Sequence, residues 1–443
     1  MRVRCKASPR LASNADAYAG GKIRYGVRSA TCRDVPVSVP QISAELAAFN
    51  PMSPEFIKNP YPVYEVLRDK APVIKTPLGF WLVSRHEHVN LLVRDRRFGK
   101  GFEKRMTRQY GAEYLNQPAI RSLGLMMLVQ DPPVHSRLRG LVNKAFTTRS
   151  IDSLKPRIEQ LANDLIDAVI DNGKMDVIAD FAHKLPVQVI CDMLGIPEDH
   201  RDGFTRGSQV SGRLIDPSPL TEEELASANE RTKMSQSYFN SLFELRRADP
   251  GNDLTSHLVA VEEAGDSLSD EELTANIMLL FGAGHETTSN LIGNGLLALH
   301  QQPDQLESMK SGNINWGDAV EELLRYDSSV QLTSRTTAEP VAFGDVEITA
   351  GEQVVGLLGA ANRDPSIYPD PNKLDLTRSG VRASSFGGGI HICLGARLAR
   401  LEGEVAFKTL MDRIPDLSLP EADSPRWRNT FTLRGLEDLP AVW

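Results

Sequence analysis

The chain has 443 residues, 41% of them hydrophobic and 24% charged, an ordinary composition for a globular protein with a large core. Its formal net charge of −8 argues against a nucleic-acid partner. Its four cysteines, Cys5, Cys32, Cys191 and Cys393, lack the paired spacing of a disulfide framework and fit a reducing, cytoplasmic compartment.

Residues 1–40 differ from the rest. They carry eight Lys/Arg and two Asp, net +6, so the remainder holds −14. Rich in Ala, Ser and Gly and without an apolar period, they read as a disordered basic extension ahead of a single domain at 41–443. A transit peptide is the functional alternative. It is opposed by the lack of a clear amphipathic helix, and an upstream start-site extension fits equally.

From Asn59, Pro-Tyr-Pro-Val-Tyr-Glu-Val-Leu-Arg reads as a short helix opened by proline. Val73 to Thr76 and Gly79 to Ser84 read as a two-stranded hairpin, and His86 to Arg94 as a helix. Gly99 to Leu123 is poorly periodic and reads as a long loop. The stretch Asp131 to Phe146 starts a helix after two prolines, with His135 and Arg139 four apart on one face. Together they could grip an anion or simply form a solvated basic face. Helical patterns follow at Ile151 to Asp171, Phe181 to Leu194 and Thr232 to Arg247, with a loop at Arg206 to Leu220.

Ser269-Asp-Glu-Glu272 reads as a capping box. The helix it opens runs to His300, roughly 46 Å long. Its apolar part, Ile277 to Leu299, is broken by His285, Glu286 and two Asn, so it reads as a buried helix and not a membrane span. Gly282 and Gly284 each weaken it by roughly 1 kcal/mol relative to Ala, a cost normally tied to close packing or function. Ala283, Gly284 and Thr287 share one face, small enough to let a planar group lie against them. Glu286 beside Thr287 sets a carboxylate and a hydroxyl at one depth, and a buried carboxylate needs a partner.

Asp318 to Arg325 is an amphipathic helix in which Glu322 and Arg325 can pair. Strand patterns follow at Val341 to Phe343, Val346 to Thr349 and Gln353 to Leu357, and a strand pair is expected around Thr430 to Leu433.

The most informative stretch is Phe386-Gly-Gly-Gly-Ile-His-Ile-Cys-Leu-Gly395, directly before a helical pattern from Ala396. A thiolate is favoured near a helix N-terminus, and glycines let the backbone approach a flat object. One thiolate in a glycine-lined loop suits the axial ligand of a heme iron. A phosphate loop lacks its Lys-Ser or Lys-Thr pair, and zinc would need more ligands than the nearby His391. An inert buried cysteine in an ordinary loop is the plainer alternative.

The pattern Phe-Gly-x-Gly-x-His-x-Cys-x-Gly resembles the heme signature of the cytochrome P450 family at every fixed position. Ala283, Gly284, Glu286, Thr287 and Thr288 resemble that family's oxygen-binding motif, and Glu322-x-x-Arg325 its Glu-x-x-Arg pair. The resemblance extends from about Phe49 onward. It implies a mainly α (α+β) fold, a helix-rich domain with small β-sheets. It implies heme b, with Cys393 as the metal ligand and Phe386 and Gly395 flanking it. His135, Arg139, Arg335 and His391 would hold the heme propionates, with Ala283 and Gly284 against the macrocycle. Glu286 and Thr287 would be the catalytic acid–alcohol pair that passes protons to dioxygen. Val330 to Thr333, the 99–123 stretch and the Thr430 turn would meet substrate, and the helix–loop–helix around 206–220 would act as a lid. Arg378 would join the Glu322–Arg325 pair, although Leu374 and Ala383 depart from common Phe and His positions.

The expected activity is that of a soluble, bacterial-type monooxygenase. It inserts one oxygen atom of O2 into a small to medium hydrophobic substrate, with no membrane span. Electrons would come from NAD(P)H through a ferredoxin and ferredoxin reductase, with Arg397 and Arg400 in the docking patch. A peroxide-using peroxygenase and a non-catalytic heme sensor are the alternatives. Both leave the Glu286–Thr287 pair without a purpose.

Overall fold

The computed structural model of the chain describes residues 50–201, 220–263, 266–312 and 314–443. The expectations for residues 1–40 and for a loop over 206–219 lie outside the described residues. Helices dominate and the sheets are small, as the sequence implies.

Local signals set the element ends. Ser269 Oγ accepts from the Glu272 N–H at 3.2 Å, and the Glu272 carboxylate accepts from the Ser269 N–H at 3.0 Å. This reciprocal cap opens the helix Asp270–His300, 31 residues long. The helix His86–Arg94 forms as expected. Val73–Lys75 pairs antiparallel with Trp81–Val83. Trp81–Val83 also runs parallel to Gln353–Leu357, which pairs antiparallel with Leu332–Thr337. Phe98–Gly99 adds the fifth strand.

Three expectations need correction. The 99–123 stretch is largely helical, with helices Phe102–Tyr110 and Pro118–Leu125. Each is too short to be stable alone. They are held by packing of Met106, Ala119 and Ile120 against Leu225 and Ala228, contacts that no local periodicity shows. Residues 232–247 are the end of a longer helix, Glu222–Ala248, opened by a capping box of its own at Thr221 and Glu224. Around Thr430 to Leu433 there is no strand pair, only isolated bridges such as Val330↔Leu433.

The main core forms where the C-terminal half of the long helix meets the helix Ala396–Arg413. Leu291, Leu296, Phe407 and Leu410 are buried there. A Cβ on Gly293 would stand 2.5 Å from Ile178 Cδ1, and one on Gly295 2.6 Å from Phe407 Cζ. These two glycines exist for packing. No helix among the described residues is long and apolar enough to cross a membrane.

Beneath this core lies a fully buried ion pair. Arg325 Nε donates to Glu322 Oε2 at 2.7 Å and Nη2 to Oε1 at 2.8 Å. The remaining guanidinium N–H groups reach the carbonyls of Asn362, Pro371 and Lys373. All five donors are thereby used. Glu322 Oε1 also accepts from the Asp375 N–H at 2.9 Å and from Arg378 Nε at 3.2 Å. Removing one partner would leave a buried charge uncompensated. Glu322→Ala is therefore expected to cost about 3–5 kcal/mol of folding stability, read as a fall in the chemical-denaturation midpoint. A loss below about 1 kcal/mol would show the pair to be ornamental.

Candidate active site

The long helix changes character near its middle. Leu280, Phe281 and His285 are buried, yet Ala283 is exposed and Gly282 partly so. A Cβ on Gly282 would meet nothing within 4 Å, and one on Gly284 only Ile190 at 3.8 Å. Here the glycines answer no protein neighbour. They open onto a cavity of about 1240 Å³, more than one small-molecule site usually needs.

The eleven residues expected to hold heme or act in catalysis all line this cavity: His135, Arg139, Ala283, Gly284, Glu286, Thr287, Arg335, Phe386, His391, Cys393 and Gly395. They come from separate elements. His135 and Arg139 lie on Val134–Ala145, and Arg335 on Leu332–Thr337. The others lie on the long helix and on the loop before Ala396–Arg413. His285 is not in the lining. Its Nδ1 bonds the Phe281 carbonyl at 2.7 Å, and burial drives its pKa down to about 4, so it is neutral.

The cysteine loop is shaped by close approach. Gly387 and Gly389 have φ of +66° and +63°. A Cβ on Gly389 would collide with the Val93 carbonyl oxygen, so this glycine serves the helix His86–Arg94 and not the cavity. The Cys393 N–H donates to the Phe386 carbonyl at 3.0 Å, closing the loop. Cys393 sits two residues before the helix cap Gly395. It is exposed to the cavity yet deep in the protein. Burial raises its thiol pKa, and the Gly395 N–H, Arg139 and Arg400 act the other way. Desolvation outweighs these three contacts. A coordinating metal reverses that balance, since a bound thiol is deprotonated outright.

One corner of the cavity is cationic. His135 and His391 lie with ring centroids 4.1 Å apart. Both His135 nitrogens and His391 Nε2 are buried without a hydrogen-bond partner. Burial, then Lys100, Arg335, His135 and Arg139, pushes the His391 pKa to about 2. Burial lowers Arg335 to about 10, and burial with Arg335 and Arg105 lowers Lys100 well below its ordinary value. Asp131 is the carboxylate at hand. It accepts from the backbone N–H groups of Lys100 at 2.7 Å and Gly101 at 3.1 Å. Orphaned donors and desolvated cations in one corner fit the carboxylates of a heme, and the Gly282–Gly284 face leaves room for its plane.

Glu286 has the partner its burial demands, Arg428, whose Nη1 donates at 3.2 Å. The Thr287 hydroxyl donates to the Ala283 carbonyl at 2.9 Å. Sequence reasoning missed Lys100, Arg428 and Glu402. Lys100 and Arg428 sit in stretches without a period. Glu402 was detectable as a carboxylate four residues from Leu398 on the apolar face of its helix. The two arginines expected in a docking patch both have carboxylate partners. Arg397 pairs with Asp152 at 2.6 Å, and Arg400 pairs with Glu321 and stacks over Phe386 at 4.4 Å.

A cavity-facing cysteine thiol, a flat helical wall and a cationic corner together describe a heme-thiolate protein. The comparisons carry this further. The family model Cytochrome P450 matches residues 102–311 and 317–430. The putative cytochrome P450 133B1 of Xylella fastidiosa is 40% identical over 389 residues, covering 87% of this chain and 96% of that one. The vitamin D(3) 25-hydroxylase of Pseudonocardia autotrophica is 41% identical over 393 residues, covering 87% and 94%. The solved structure of P450BioI with hexadec-9Z-enoic acid ligated acyl carrier protein superposes with a TM-score of 0.82 at 38% identity, covering 88% of this chain and 100% of that one. The chain belongs to the cytochrome P450 family. It is a monooxygenase of the heme-binding class.

Glu402 is fully buried beside the Thr288 hydroxyl, and burial raises its pKa from 4.5 to about 8. It binds its proton more tightly folded than unfolded. Its contribution to stability is therefore full below pH 4.5 and is lost as pH rises towards about 8. Glu402→Gln should flatten that fall and raise stability at pH 8 by up to a few kcal/mol, measured as melting temperature against pH. A parallel pH profile in wild type and variant would refute the assignment.

Proposed function

We propose that this chain hydroxylates a hydrophobic substrate through heme held by Cys393, with 41–443 as the catalytic domain. The observation that carries the reading is the joining of Cys393, the Gly282–Thr287 face and the cationic corner in one cavity. The overall change is RH + O2 + two electrons + two protons giving ROH and water. When bound, heme supplies the redox and oxygen-activating chemistry, which a thiolate ligand favours.

The chain's own residues divide the work. Cys393 supplies the sulfur, and the Gly395 N–H and Arg139 steady its charge. Arg139, Arg335, Lys100, His135 and His391 receive the two heme carboxylates. Gly282, Ala283 and Gly284 admit the plane because they carry little or no side chain. Leu123, Ile190, Phe239, Leu279 and Leu332 exclude water and hold the substrate body. The Thr287 hydroxyl donates its hydrogen bond to the Ala283 carbonyl and so presents its lone pairs as an acceptor. Arg428 holds Glu286 at the cavity edge, placed to take protons from water and pass them inward.

Electrons reach this site from NAD(P)H through a ferredoxin and its reductase. Ile390, 54% exposed in the cysteine loop, offers an apolar centre for that contact, beside the arginines Arg397 and Arg400 of the helix that follows.

The reduced, carbon monoxide-treated protein is expected to show the red-shifted Soret band of thiolate ligation. A spectrum without it removes the reading. Glu286→Gln and Thr287→Ala should each keep that band and lower reductase-driven product formation by roughly 10²-fold. Product formed from added hydrogen peroxide, which already carries its protons, should fall much less. Equal losses by both routes would dismiss the proton relay.

A further inference from the structure

Arg105 is a cation that neither the fold nor the heme reading uses. It lies on the helix Phe102–Tyr110 and lines the cavity. Lys104 and Arg108 of the same helix are exposed, but Arg105 is not. The next residue, Met106, is 2% exposed and packs with Leu225 and Ala228, which fixes the helix and keeps Arg105 at the cavity wall. Its Nε is buried without a hydrogen-bond partner, and no ion pair joins it to a described residue. Tyr110 is the acidic group that acts on it, and burial lowers its pKa.

Formal charge separates Arg105 from the cationic corner. Lys100, Arg139 and Arg335 bring three positive charges there, and Asp131 one negative. The two left over match the two heme carboxylates. Arg105 repels Lys100 across the same space, so both gain when anions enter. With the corner neutralised, the Arg105 guanidinium still lines the cavity with no ion pair to a described residue. The adjacent Met106 packs with Ala119 and Ala228, and the same lining holds Leu123 with the polar Ser122 and Thr232. A planar fork in an apolar wall suits a carboxylate on a hydrophobic body.

We infer that Arg105 receives the carboxylate of the substrate, and that the substrate is a hydrophobic carboxylic acid oriented by that contact. This rests on the heme-thiolate reading above. The remainder of the molecule then extends along the apolar walls towards the Gly282–Thr287 face, so oxidation falls away from the acid end.

The test uses holoenzyme of the wild type, Arg105→Gln and Arg105→Lys. Each is first checked for heme content and for the carbon monoxide-bound Soret band. Absence of the band in the wild type would reject the heme-thiolate reading itself, independently of Arg105. Binding is then measured by calorimetry and by the spin-state change in absorbance. The probes are dodecanoic, abietic and lithocholic acids, each beside its methyl ester. For at least one pair the wild type should bind the acid about ten- to a hundredfold tighter than the ester. Arg105→Gln should erase that preference with ester affinity unchanged, and Arg105→Lys should restore part of it. Three pairs with no preference for the acid would overturn the proposal. So would a preference that survives Arg105→Gln, or loss of heme from Arg105→Gln, which would assign this charge to the cofactor.

Discussion

The position of the cysteine loop depends on a charge pair far from any substrate. Glu322 and Arg325 lie three residues apart on one helix and are both fully buried. Such a pair is weak evidence for stability in itself, because desolvation offsets much of the attraction. Its effect here lies in what else it binds. The guanidinium gathers the carbonyls of Asn362, Pro371 and Lys373, and the carboxylate takes the Asp375 N–H. A segment with little regular structure is thus tied to a helix. The Asn362 side chain then donates to Ser328 and Ser385 and accepts from the Ser384 N–H at 2.6 Å. Ser384 opens the turn that leads through Phe386 to Cys393. Each link is a buried hydrogen bond, and each would cost more to leave unmade than it contributes when made.

Glycine serves two opposite purposes along the long helix. At Gly293 and Gly295 a side chain would strike Ile178 or Phe407, so the missing Cβ lets helices approach. At Gly282 nothing stands within 4 Å, so the missing Cβ keeps a space open. Composition alone cannot separate these cases. Burial does, because Ala283 is exposed in the middle of a helix whose flanks are buried.

Much of the fold was legible where the signal was local. The capping box at Ser269, the helix at His86–Arg94 and the strands from Val341 to Leu357 follow from caps, turns and alternation. The short helices between 102 and 125 were not legible, because packing against Leu225 and Ala228 holds them. The site divides in the same way. A motif within ten residues names Cys393 and its neighbours. Arg428, 142 positions from Glu286, has no local mark. Arg397 and Arg400 looked free in sequence because Asp152 and Glu321 lie 245 and 79 positions away. Charge partners are the least visible layer of a sequence, since pairing is decided by the assembled fold.

That layer also organises the cavity. Its walls are mostly apolar, so any charge there is held in a poorly screened setting and acts over a longer reach than at the surface. His135 and His391 respond by staying neutral, which leaves Lys100, Arg139 and Arg335 as the charges that matter in the corner. Glu286 is matched by Arg428, and Glu402 avoids the problem by keeping its proton. These groups are thus paired, neutral or part of a corner whose excess charge equals that of the proposed cofactor. Arg105 has no ion pair to a described residue, and such a cation is the kind of feature a binding site retains for its ligand.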